Sequence, residues 1–151
     1  MLQIAIANEQ DILAINEDRL RRAVEEVIPS ERPSGDATIG LAIVDDKTIH
    51  ELNRRYLDHD WPTDVLSFVL EDSPERLEGE IVVSAETAAA RAGEYGWPPS
   101  DELLLYVLHG ILHLLGYDDK TAEAEARMRD REAHYLVRWG LKQVERNSFR
   151  S

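Results

Sequence analysis

The chain has 151 residues, no cysteine and a net charge of −13, from 17 Lys/Arg against 30 Asp/Glu. That length suits one domain with a single core, residues 1–151. The missing cysteines exclude disulfides and thiolate metal sites, in keeping with a reducing cytoplasm. So much acid excludes a broad nucleic-acid surface, which needs a basic footprint. Residues 1–119 hold 9 Lys/Arg against 25 Asp/Glu and residues 120–151 hold 8 against 5, which leaves open only a small, focused site beside a cation.

The opening MLQIAIANEQD has no basic segment and no long apolar run, so no secretory signal is expected. Leu2, Ile4 and Ile6 alternate with small or polar residues, the period of a half-buried strand. Asn16 is placed to cap a helix, with Glu17 and Asp18 in its first turn. Leu20, Ala23, Val24 and Val27 keep helical spacing, and Pro29 is expected to end the run. The stretch from Pro29 to Asp36 reads as a loop, and Thr38–Val44 as a central strand dense in β-branched residues. Asp45 and Asp46 then cap a helix predicted to bury Ile49, Leu52 and Tyr56, with Arg54 and Arg55 on its solvated side.

Trp61-Pro62 forces an extended or turning backbone ahead of a strand over Val65–Leu70. The polar run Glu71–Glu78 reads as a loop, and Glu80–Ser84 as a further strand. Ser84 caps an alanine-rich helix over Ala85–Tyr95, which Gly96 and Pro98 close. Ser100 or Asp101 is expected to cap the next helix. Thr121 caps the last one, with Met128, Tyr135 and Trp139 facing inward, and Ser148–Ser151 reads as a frayed tail. Two strand–helix–strand units imply parallel pairing, and the last two strands suggest a hairpin. The expected fold is therefore α+β: a mixed sheet of about four strands with helices packed on it.

The chemistry concentrates in HGILHLLGYDD, residues 109–119. His109 and His113, four apart in an apolar run, fall on one helix face. Leu103–Leu115, the longest apolar stretch, is interrupted by both histidines and Gly110, so it predicts a buried helix and no membrane span. Gly116 offers a left-handed stop, and the turn through Tyr117, Asp118 and Asp119 can bring a carboxylate back toward the imidazoles. Two histidine nitrogens and one carboxylate oxygen with a fourth position open form a catalytic zinc arrangement. The zinc peptidases that carry His-Glu-x-x-His place a glutamate base after the first histidine. Here that position is Gly110, which argues against a peptidase. The competing reading is two core histidines with no metal.

Three stretches, Leu52–Phe68 (LNRRYLDHDWPTDVLSF), Gly79–Glu86 (GEIVVSAE) and His109–Asp119, together resemble the bacterial YbeY family, metal-dependent single-strand endoribonucleases of ribosomal RNA maturation. The resemblance implies a metal held by His109, His113 and Asp119, a ribosomal RNA substrate, the small ribosomal subunit as partner and a cytoplasmic location. A zinc ion in that site is expected to acidify a bound water and polarise a phosphodiester oxygen. Iron(II) or manganese also tolerate such ligands. Thr63, Asp64 and Ser67 lie in the first motif and are candidates to line the same groove.

Two positions depart from the family pattern. Asp119 stands where the third ligand is histidine, and its charge lowers that of a dication site from +2 to +1. Leu57 stands where the family has an arginine thought to serve phosphate binding or catalysis. Losing one such donor costs about 10²–10³ in rate in comparable sites; Arg54, Arg55 and His59 are the nearby substitutes in sequence. These departures favour an alternative reading, a catalytically weak ribosome-assembly or adaptor protein that keeps the fold.

Overall fold

A computed structural model describes residues 1–142. Four strands form one sheet in the order β1-β2-β4-β3, from β1 (Leu2–Asn8), β2 (Asp36–Val44), β3 (Val65–Asp72) and β4 (Arg76–Ser84). β1, β2 and β4 run parallel; β3 pairs antiparallel with β4 at the edge. The helices are α1 (Glu17–Glu31), α2 (Asp46–Leu57), α3 (Ala85–Arg91), α4 (Pro99–Leu114) and α5 (Ala122–Arg138), with a 3₁₀ turn at Ala92–Tyr95 after α3. The mixed four-stranded α+β fold expected from the sequence is the one observed, with β2 central.

Strand alternation divides the apolar side chains between two faces. Ile39, Leu41 and Ile43 of β2, with Val65, Leu77, Ile81 and Val83, join the main core beneath α1, α3, α4 and α5. Val44, Leu66 and Val82 form a smaller cluster with Ile49 of α2 on the opposite face. α4 is apolar almost all round and buried along nearly its whole length, as a helix enclosed by its neighbours must be.

Several boundaries differ from expectation, each for a local reason. Pro29 does not end α1, which continues to Glu31. Proline removes only the bond to the Glu25 carbonyl, and both residues lie on the exposed side where water can replace it. Glu71–Glu78 is mostly strand, turning through residues 73–75, because Leu77 is buried and Arg76 pairs with both Glu71 and Glu78. The polar composition there marks the solvated end of an edge hairpin.

Helix α4 begins after Pro98 with no side-chain capping bond, and Pro99 stands in its first turn, where a missing N–H costs nothing; neither Ser100 nor Asp101 caps it. Tyr56 is 60% exposed and Leu52 half-buried, since α2 meets the sheet chiefly through fully buried Ile49. Trp139 is half-buried just past α5, where its indole N–H donates to Glu26. Residues 148–151, expected to fray, lie outside the described residues.

Candidate metal centre

The histidines sit on the last two turns of α4. His109 is buried, and its Nδ1–H donates to Glu132 Oε2 of α5 at 2.6 Å. In the neutral ring that bond leaves the lone pair on Nε2. His109 Nε2 faces His113 Nε2 at 3.1 Å, with the two rings at 73° to each other. Burial and the neighbouring imidazole push His113 below the ordinary histidine range, against Asp119, Asp118 and Glu132, which favours the neutral form that binds metals.

The turn after α4 is fixed by hydrogen bonds at each step. Gly116, at φ +99°, bonds through its N–H to the His113 carbonyl, and the Tyr117 N–H bonds to that of Leu112. This paired closure requires the left-handed residue that only glycine adopts cheaply. Tyr117 then donates its hydroxyl to Glu31 of α1 at 2.7 Å, and Asp118 accepts the Lys120 N–H in a local turn. Asp118 is therefore a turn residue. Asp119 is the carboxylate brought back: ligand atoms of His109, His113 and Asp119 all lie within 4.8 Å of one another. Among the described residues no other such group forms.

The donor set fits a divalent ion. Ligand nitrogens at ~2.0–2.1 Å in tetrahedral geometry stand about 3.3 Å apart, close to the 3.1 Å between the two Nε2 atoms. Two neutral imidazoles and one carboxylate suit zinc, and equally iron(II) or manganese.

The first-motif residues separate into two groups. Thr63 and Asp64 are fully buried; Asp64 accepts bonds from Thr63, the Val65 N–H and Arg91 Nη1 at 3.0 Å. Burial pushes the Asp64 carboxyl above its ordinary value, and the Arg91 guanidinium opposes that rise. Ser67 donates its hydroxyl to the Gly110 carbonyl at 3.2 Å. Gly110 is where α4 touches the sheet: a Cβ there would stand 2.6 Å from Ile81 Cγ2 and 3.2 Å from Ser67 Oγ. Arg54 and Arg55 are exposed and both bonded to Glu51, and Leu57 is 43% exposed.

Three residues of this neighbourhood carry no sequence motif. Glu132, buried in α5, is one of a helix rich in acids and could be told apart only by lying one turn beyond buried Met128. Arg129 Nη1 donates to Glu132 Oε1 at 3.0 Å. Arg91, only 17% exposed, holds Asp64. The Arg129 guanidinium therefore stands one carboxylate away from His109, and Arg91 offsets the charge of buried Asp64.

Fold and site together define a small α+β domain bearing a His-x-x-x-His cluster on an enclosed helix, completed by a carboxylate from the following turn. A family model described as endoribonuclease YbeY matches residues 5–140. The chain is 39% identical to the endoribonuclease YbeY of Moorella thermoacetica, over 93% of this chain and 99% of that protein. It is 52% identical to that of Rhodopirellula baltica over 97 residues, which are 63% of this chain and 50% of that longer protein. The solution structure of TM1509 from Thermotoga maritima superposes with a TM-score of 0.60 at 29% identity, over 93% of this chain and 92% of that one. The chain belongs to the YbeY family.

Proposed function

We propose that this protein is a metal-dependent endoribonuclease that cuts single-stranded RNA in ribosomal RNA maturation, with His109, His113 and Asp119 holding one zinc ion. The observation carrying the reading is the convergence of those three donors on one point, in a chain whose relatives bear the name endoribonuclease. A bound dication supplies Lewis acidity toward a phosphodiester oxygen and an acidified water. The chain's own groups prepare that site. Glu132 fixes the His109 tautomer so that Nε2 points at His113. The Gly116 closure and the Tyr117–Glu31 bond set where Asp119 stands. Ser67 ties β3 to the Gly110 carbonyl of α4, while Thr63 and Asp64 bond within the start of β3 and to Arg91 of α3, which makes them positioning residues. The location is cytoplasmic and the partner is the small ribosomal subunit, both on family grounds. No helix among the described residues is long and apolar enough to cross a membrane.

A second reading, an assembly or adaptor protein with little turnover, is favoured by one observation. Leu57 presents an apolar side chain, and Arg54 and Arg55 are both engaged by Glu51. Elemental analysis and an RNA cleavage assay separate the two. The nuclease reading expects about one metal per chain, lost in His113→Ala, and cleavage of single-stranded RNA that Leu57→Arg raises by up to about 10²-fold. Wild type that is inert, and stays inert in Leu57→Arg and Asp119→His, establishes the adaptor. Metal-free protein that folds identically and refuses zinc removes the metal centre itself.

A further inference from the structure

The loop between α2 and β3 holds an aromatic pair that the metal centre does not use. His59 and Trp61 stack with ring centroids 4.7 Å apart and planes within 9° of parallel. Trp61 is 45% exposed while His59 is half-buried, so the indole is the outward member. The loop is pinned to buried Asn53, whose side-chain amide donates to the Trp61 carbonyl at 3.0 Å and whose carbonyl accepts the His59 N–H at 3.2 Å. Asp58 turns the chain there in the left-handed region, at φ +58°. Beside the loop, exposed Tyr56 meets Phe68 edge-on at 5.9 Å. The indole is therefore held in place before any ligand arrives.

We propose that Trp61, backed by His59, is a platform on which an unpaired base of single-stranded RNA stacks. The proposal deepens the nuclease reading and rests on it. Position supports it first. Val65 stands four positions along the chain from Trp61, so their Cα atoms are at most about 14 Å apart, and Val65 packs against Gly110, the neighbour of His109: a Cβ on Gly110 would stand 3.2 Å from Val65 Cγ2. A strand crossing the metal centre thus passes the indole within a short run of nucleotides.

Charge supports it next. With a net charge of −13, Arg54 and Arg55 tied to Glu51, Asp58 just before the pair and Asp60 between its two members in sequence, this surface attracts phosphates poorly. Stacking on an aromatic face does not depend on net charge and tolerates any base, because every base has a π-face. A protein partner fits less well: interface centres are depleted of charge, whereas charged residues interleave with the aromatic ones here.

The test uses the full-length chain in EDTA, so that RNA stays intact, and an oligouridine of eight nucleotides. Oligouridine is expected to quench Trp61 emission; the quench disappears in Trp61→Phe, which retains Trp97 and Trp139. Trp61→Ala weakens binding roughly 5- to 150-fold, and Trp61→Phe restores most of it. An abasic oligomer of the same length binds wild type and Trp61→Ala alike. The slope of log affinity against log salt stays shallower than about −1.4, as for two phosphate contacts or fewer. Far-UV melting confirms that Trp61→Ala stays folded.

Equal oligouridine affinity in wild type and Trp61→Ala overturns the platform. So does a self-associated species that Trp61→Ala dissolves, which would make this a contact between copies. Cleavage by the zinc-loaded protein reports on the nuclease reading separately. Cutting without quenching removes the platform alone, and quenching without cutting leaves an RNA-binding surface whose catalysis has failed.

Discussion

The two faces of the sheet are treated very differently. Four helices seal one face, and the buried helix among them carries both histidines. The other has α2 and a small cluster around Ile49, leaving Tyr56, Leu57 and Leu70 largely in solvent. A metal centre needs donors held to within fractions of an ångström by a packed surround, and the sealed face provides it. The thin face instead leaves Tyr56 and Leu70 more than half exposed. Truncating buried side chains of the sealed face should therefore cost far more stability than truncating the exposed ones of the thin face.

The sharpest contrast comes from core truncation. Leu108, fully buried beside His109, should lose about 2–5 kcal/mol on Leu108→Ala, read by urea denaturation in chelator so that metal does not contribute. Glu132→Gln comes next. It removes the charged acceptor of the His109 N–H, and zinc affinity by competitive chelator titration should fall about 10–100-fold while the fold persists.

Glu31 ties α1 to the turn that carries Asp119 and gives a pH signature. Burial works to raise its carboxyl, but hydrogen bonds from Tyr135, Tyr117 and Arg131 outweigh it and hold the group below the ordinary value of 4.5. A depressed carboxylate contributes stability above its unfolded pKa and loses it as pH falls through the folded one. Glu31→Gln should cost roughly 1–3 kcal/mol at pH 7, and the gap to wild type should close as pH falls below about 4.5; urea midpoints from pH 7 to 3 check both. Smallest is Tyr56→Ala on the thin face, expected to change stability by about 0.5–1 kcal/mol through its edge contact with Phe68. A Tyr56→Ala loss equal to that of Leu108→Ala would erase the distinction between the faces.

Much of this was readable in the sequence because local chemistry and tertiary context agree. Asn16, Asp45, Ser84 and Thr121 cap the helices expected of them; spacing predicts the His109–His113 pair and a returning carboxylate, and the family pattern points to Asp119 as that carboxylate. Where the two disagree, the sequence misled. Pro29 reads as a stop, yet an exposed helix face tolerates it; Glu71–Glu78 reads as a loop, yet one cross-strand ion pair and one buried leucine make it strand. Glu132 and Arg91 carry no local signature because their importance comes from partners 23 and 27 residues away.

The contact at Gly110 has a consequence for what this scaffold can become. An engineer wishing to install a proteolytic glutamate between the two imidazoles would find the slot filled by Ile81 and Ser67. Any proton acceptor must therefore arrive from another element or from the nucleic acid itself, which bars the shortest mutational path from this architecture to cutting peptides.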